Sequence, residues 1–436
     1  MRIALLLLCS LLIGSAHASQ QASDLWLLYQ ESLRQDPRLL QAIAQKEAAN
    51  LREREAMGQL LPQLSLNNTF SRAEHDYETA TIRSDGASHS LNLTQPLYAP
   101  GSWRSYQKYQ ELNKQQYWAE TDTNTDNALR IAELYFAILA SEDELALNQA
   151  ELKATQRNQQ RVHALYKRQM AMLTDVLESD ARAAILQTNI LDAENAVHSS
   201  RNALAERIGR TIDEPLKRLP KAPDYAQLLR NENDWVKQAL AHNPALRSRS
   251  HGVDAAEKAY REAKAEHLPR VNLTLSAQRS DIDYESNPTP EKDTLIASIG
   301  IQVPLYSGGS TTARSSALYA EKDAASYDYE RLKREVVRET QTALLNVKTG
   351  PERIKAAEQS LHAAEKSRQA AERAFELGVY NAVEVLERVR DEFRARRDLL
   401  RSHYTYITNL LLLYRWTGTL SEHDIRRSSE LLEGEM

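Results

Sequence analysis

The sequence predicts a mainly α-helical chain that also carries membrane β-strands and is written as two copies of one unit. Three observations point there. Landmarks recur in one order about two hundred residues apart, the hydrophobic period switches between two and seven inside each copy, and only 13 Gly and 13 Pro interrupt 436 residues. So few breakers favour long helices over many short elements.

The duplication is read from paired landmarks. Asp36-Pro37 is answered by Asn243-Pro244, an offset of 244 − 37 = 207, and Leu61-Pro62 by Leu268-Pro269 at the same offset. "QPLY" at 95–98 returns as "VPLY" at 303–306, 304 − 96 = 208, and Gly209 returns as Gly418 at 209. The units are 19–219 and 220–425, followed by a C-terminal tail at 426–436. Residues 1–18 read as a signal peptide: Arg2, an apolar run from Ile3 to Ile13, and the small-x-small site Ala16-His17-Ala18. Its removal takes away Cys9, the single cysteine, and with it disulfides and thiolate metal sites.

Each copy is expected to hold two strands and then two long helices. Leu64, Leu66 and Phe70 alternate with polar residues, as do Leu91, Leu93 and Leu97, Val271, Leu273 and Leu275, and Leu295 to Leu305. Period two places strands at about 62–74, 88–98, 269–283 and 293–305, joined in each copy by a polar connection. Beyond each Pro-Leu-Tyr turn the period becomes heptad-like. Ile131, Ile138, Leu145 and Leu152 stand seven apart, as do Val347, Ile354 and Leu361. Leu177 and Leu191 match Leu386 and Leu400 on the return helices. Narrow apolar seams on polar helices are the coiled-coil pattern, and predict helices at about 102–168, 174–208, 310–376 and 381–416. Gly350-Pro351 predicts a kink or break.

Alternating strands beside such helices pose a closure problem. In lipid every backbone group must be paired, so the sheet must close on itself. Four strands cannot enclose a lumen, and eight from a dimer leave little. Three chains supply twelve, within the range of outer-membrane barrels. The predicted assembly is a trimer with a 12-stranded β-barrel continuous with an α-helical barrel. Pro96 and Pro304 then mark where strand gives way to helix, with Ser102 or Ser310 capping the helix and Tyr98 and Tyr306 at the membrane–water boundary.

The segments "LPQLSLNNTF", "SLNLTQPLY", "LTDVLESDARA", "HLPRVNLTLSA", "IQVPLYSGG", "FELGVYNAVEVLE" and "WTGTLSEHDI", in duplicate order, resemble the TolC family of outer-membrane channel-tunnels across about 19–425. The resemblance implies a passive trimeric exit duct for efflux or type I secretion in a Gram-negative outer membrane. It implies partners as well: a periplasmic adaptor and an inner-membrane ABC or proton-driven pump. It puts Glu384 and Glu387 in the acidic ring of a periplasmic aperture, one helical turn apart, so that three copies bring six carboxylates to a narrow mouth. The competing reading pairs Glu384 with Arg388 and Glu387 with Arg390 on a solvated face. Thr174 and Asp175 match the family's aperture latch, but Tyr380 stands near where an arginine is expected, which removes the bidentate charged pair. The adaptor-contact tips are Gln169, Met170, Ala171, Met172 and Leu173, with Gly378, Val379, Asn381 and Ala382. Gln169 replaces an expected turn glycine, so the two tips should differ in shape.

Other classes find little support. The exported chain would carry 55 − 1 = 54 basic residues against 60 acidic ones, which argues against nucleic acid. No catalytic motif, metal site or cofactor fingerprint is present: His163, His198, His242, His251 and His403 lack ligand spacing, and "SGGST" at 307–311 lacks the Walker lysine. The mean hydropathy of −0.58 leaves room for a soluble periplasmic coiled-coil adaptor or scaffold. Such adaptors carry one hairpin, whereas this chain repeats its hairpin and strands.

Overall fold

The computed structural model describes residues 23–78, 80–220, 223–228, 230, 234–284 and 290–433, so the predicted signal peptide and the last three residues lie outside the described part. The order is α1 (Leu25–Gln35), α2 (Pro37–Gly58), β1 (Gln63–Tyr77), β2 (Ala80–Tyr98), α3 (Pro100–Lys167) and α4 (Leu173–Ile208). The second copy repeats it as α5 (Trp235–His242), α6 (Pro244–Ala265), β3 (Arg270–Tyr284), β4 (Lys292–Gln302), α7 (Ser310–Glu376) and α8 (Ala382–Trp416). A last helix, α9 (Glu422–Glu430), bridges the expected boundary between second unit and tail.

The Asx-Pro landmarks are helix starts. Asp36 accepts the Arg38 amide at 2.8 Å and Asn243 the Leu246 amide at 3.0 Å, each with proline at the first helical position. Both cap side chains also hold the end of the return helix in their own copy. Asp36 takes the Arg207 guanidinium at 2.9 Å, and Asn243 donates to the Trp416 carbonyl at 2.9 Å, positions 416 − 207 = 209 apart. One short side chain thus sets two helix ends, which is why the landmark recurs.

The four strands form one antiparallel sheet in the order β1-β2-β3-β4, leaving β1 and β4 as open edges. Leu64 faces Leu93, Leu93 faces Leu275 and Leu275 faces Ala297, so the alternating apolar residues share one face. Among the described residues nothing covers that face: Leu66 is 65% exposed, Phe70 78%, Leu295 86% and Ile301 68%. The other face is polar and bonded across strands, with Ser276 donating to Asn92 at 2.7 Å and Gln278 to Ser88 at 3.1 Å.

Several expectations need correction. The first polar connection is mostly strand, since β1 and β2 stay paired out to Tyr77↔Ala80; polar residues extend the ribbon past its apolar band. β4 stops at Gln302, before Pro304, and a turn leads to α7. Neither serine caps its helix. Pro100 opens α3 ahead of Ser102, and the Ser310 hydroxyl donates to the Ser307 carbonyl at 2.8 Å. Gly350-Pro351 does not break α7, which runs through it.

α3 has 68 residues and α7 has 67, which at ~1.5 Å per residue is about 100 Å each. α4 lies along α3, α3 along α8 and α8 along α7. The main core sits part-way along these helices, where Ile131, Ile138, Tyr135, Ile407 and Tyr414 are buried with α1 and α9. On α4 the buried seam is Val176, Ser179, Ala183 and Leu186, while Leu177 and Leu191 are 58% and 61% exposed, contrary to the heptad match. Small residues at this seam let α4 lie close on α3 and turn the larger leucines outward.

Candidate aperture and membrane seam

The hairpin tips are built alike despite Gln169. That residue takes a left-handed φ of 61°, close to the 75° of Gly378. Gln169 N–H bonds the Tyr166 carbonyl and Met170 N–H the Leu165 carbonyl at 2.8 and 2.9 Å. Gly378 and Val379 repeat this pattern onto Phe375 and Ala374 at 3.1 and 2.9 Å. The expected difference in backbone shape is therefore absent. Glutamine instead adopts a conformation costing about 1–2 kcal/mol for a residue with a Cβ.

Glu384 has a local task. Its carboxylate accepts the Asn381 amide at 2.9 Å while Asn381 Oδ1 accepts the Glu384 amide at 2.9 Å, a reciprocal cap on α8. Glu387 is about half exposed, 3.8 Å from Arg388. Neither intrahelical pairing weighed from sequence forms: Arg388 bonds Asp391 at 2.9 Å, and Arg390 lies 4.0 Å from Asp391. The two acids come together on one turn of α8, with Glu387 the freer.

The latch residues do not meet within the chain. Asp175 caps α4 by accepting the Met172 amide at 3.2 Å, and Thr174 and Tyr380 are exposed. Other contacts join the two hairpins, and sequence reading missed them. Val162, Val176 and Ala382 form a small core under the tips, flanked by Ala171 and Phe375. Arg161 lies 3.5 Å from Glu376 and over the Phe375 ring at 5.0 Å. Deeper in, the buried Glu151 takes Arg182 of α4 at 2.5 Å and Arg397 of α8 at 3.3 Å. Apolar side chains are left uncovered at the tips, Met170 at 70%, Met172 at 72% and Val379 at 71% exposure; Leu173 is exposed too, as is Asn381.

At the seam, Pro96 sits beside a register shift between Pro96 and Tyr98, where a missing N–H is tolerated. Tyr98 and Tyr306 are both exposed. Among the described residues no helix is long and apolar enough to cross a membrane. His251 does meet carboxylates: its Nδ1 lies 2.8 Å from Glu111, with Asp254 adjacent. Burial pushes the Glu111 carboxyl up, but bonds from Lys114 and His251 outweigh it and hold the carboxyl below its usual range. A cation there would have to displace the Lys114 ammonium.

The family profile described as outer membrane efflux protein matches residues 28–210 and again 235–419. The chain belongs to the outer membrane efflux protein family. The two matched segments begin 235 − 28 = 207 residues apart, the offset of the duplicated landmarks. Outer membrane protein TolC of Vibrio cholerae is 27% identical over 423 residues, 96% of each chain. The alkaline protease secretion protein AprF of Pseudomonas aeruginosa is 25% identical over 416 residues, 91% of this chain and 85% of that one. The crystal structure of the Campylobacter jejuni CmeC outer membrane channel shares the fold at a TM-score of 0.82 and 13% identity, covering 95% of this chain and 91% of that one. This member of the outer membrane efflux protein family is an outer-membrane exit duct of the efflux and type I secretion kind, and the soluble adaptor reading falls.

Proposed function

We propose that three copies assemble about one axis, close their twelve strands into a single outer-membrane barrel, and continue it as a helical tube through the periplasm. The observation that carries this reading is the four-stranded sheet with one apolar face uncovered and both edges open. Open edges cannot stand in lipid, and a copy on each side pairs β4 with the next β1. The helical layer has free margins too, α4 and α7, and the outward Leu177, Ile185 and Leu191 of α4 offer an apolar seam to the neighbouring copy.

On this reading the hairpin tips form the periplasmic mouth. Three Glu387 carboxylates and three capping Glu384 carboxylates ring it, favouring cations and binding multivalent ones. Thr174 and Asp175 face the Tyr380 hydroxyl of an adjacent hairpin, a weaker latch than an arginine gives. The tips 169–173 and 378–382 receive the adaptor through the uncovered Met170, Met172, Leu173 and Val379, whereas Ala382 is buried beneath them, and the inner-membrane pump supplies the energy. Transport itself involves no bond chemistry in this chain.

Two measurements test the reading. Fractionated envelopes should carry the protein in the outer membrane as a heat-modifiable trimer. In planar bilayers, Glu387→Gln should weaken block by a trivalent cation such as hexamminecobalt roughly tenfold, as expected where ~1.4 kcal/mol of ring attraction is removed. An intact block in Glu384→Gln/Glu387→Gln removes both residues from the mouth. A monomer indifferent to detergent and bilayers removes the duct.

A further inference from the structure

We propose that the chain holds the phosphate of an anionic glycerophospholipid in a pocket where β2 gives way to α3. The pocket has an apolar floor from Leu60 just past α2, Leu97 at the end of β2, and Leu268 just before β3. Trp103 and Tyr98 stand at its side, and Arg104, Arg261 and Lys264 supply a basic rim. No acidic residue lines it.

Position fixes which molecule this combination meets. Leu97 stands at the register shift, and the adjoining Tyr98 pairs with Val271 of the apolar face, so the pocket opens at the helix-side margin of the face that the proposed barrel turns to lipid. Acyl chains lying along that face end with their headgroups at this level. Exposed aromatic rings and basic side chains at one depth are what an anionic headgroup requires. The pocket is framed by the two central strands rather than by β1 or β4, so neighbouring copies added at the sheet edges leave it open.

The rim is short of counter-charge. Among the described residues Arg104 bonds only the neutral Gln107 amide, at 2.8 Å. Among the described residues the exposed Lys264 ammonium has no partner. Arg261 bonds Glu257 at 2.7 Å, and that carboxylate is shared with Lys322 at 3.5 Å. A phosphate oxygen accepting from Lys264 and Arg104 would complete the set with charge-assisted bonds. A free soluble phosphate would match the rim but leave the apolar floor wet. An uncharged lipid would match the floor and leave the rim unpaired.

The proposal rests on the membrane placement of the sheet. Native mass spectrometry of the full assembled protein in neutral detergent, with defined lipids added, reads it directly. Phosphatidylglycerol should be retained at least about threefold more than diacylglycerol of the same chains. Arg104→Gln/Lys264→Gln should lower that retention roughly tenfold, with the oligomer intact by size exclusion. Equal retention of the two lipids by the native chain, or of phosphatidylglycerol by native chain and variant, overturns the proposal. So does full displacement of the lipid by glycerol 3-phosphate at equal concentration, which would assign the rim to soluble phosphate. Bilayer conductance of the same preparation separates the two readings. A conducting protein without selective retention loses the pocket and keeps the duct, whereas one that neither conducts nor enters bilayers loses both.

Discussion

Replacing Gly350 with alanine tests why a helix break is written into a helix that does not break. A Cβ built at Gly350 falls 2.2 Å from Tyr406 Cδ2 and 2.7 Å from Cε2. Tyr406 is 2% exposed, and its ring meets Tyr225 edge-on with centroids 4.9 Å apart, so it has nowhere to swing. The glycine therefore permits α8 to approach α7 closely, and Pro351 is tolerated because packing holds the helix on both sides. Alanine gains about 1 kcal/mol of helix propensity, while overpacking a rigid core costs about 1–3 kcal/mol. With two ring carbons inside 3 Å the cost lies at the upper end, leaving a net loss of about 1–2 kcal/mol. Apparent melting temperatures at one scan rate, read by circular dichroism in detergent, measure it. Gly58→Ala is the control, because its Cβ meets nothing within 4 Å and alanine should leave stability equal or higher. Adding Tyr406→Leu should shrink the Gly350→Ala penalty, since the two sites couple. If Gly350→Ala melts at or above the native chain, close approach is not the glycine's role.

Four further outcomes follow from the same geometry. Gln169→Gly should slow hydrogen exchange at the Met170 amide by roughly three- to tenfold, relieving about 1 kcal/mol of backbone strain at φ 61°, and Gly378→Gln should speed exchange at Val379 to a similar degree. Glu384→Ala should fray the start of α8 by about 1 kcal/mol in exchange experiments, while Glu387→Ala leaves it intact, because only Glu384 caps the Asn381 amide. Asp36→Ala removes both a helix cap and the partner of the largely buried Arg207, so a loss of about 3 kcal/mol or more in thermal stability is expected. Burial holds the His403 imidazolium pKa below its usual 6.5, with Glu358 opposing. The neutral folded state is therefore fully favoured above pH ~6.5 and loses stability as pH falls below it, a slope that His403→Gln should flatten in melts between pH 5 and 7.5.

What the sequence made legible is what repetition and period encode. The strand faces could be read because side chains alternate strictly, so Leu64, Leu93 and Leu275 had to share a side once paired. The strand ends could not, because Glu74 to Tyr77 and Ala80 to Arg83 continue the ladder with mostly polar residues that water accepts as readily in a strand as in a loop. At the tips, Gln169 was read by its missing glycine, yet two backbone hydrogen bonds impose the left-handed turn whatever the side chain. Residue-type rules describe preferences of about a kilocalorie, and local hydrogen bonding overrides them.

The candidate aperture divides along the same line. Glu384 and Glu387 could be placed on one helical turn from spacing alone, but spacing says nothing of the capping that engages Glu384. The ties between the hairpins depend on residues 161, 376, 151 and 397, which only tertiary packing brings together. A latch built on Tyr380 alone offers one neutral hydrogen bond per contact, about 1 kcal/mol. The exposed Arg161–Glu376 pair adds little, but parting α3 from α8 would take the largely buried Arg397 guanidinium from Glu151 and Glu144 together, while Glu151 keeps Arg182. On the proposed reading, any parting of the two hairpins would hinge on the tip side of Glu151, so that the ends flare while the shaft stays bound.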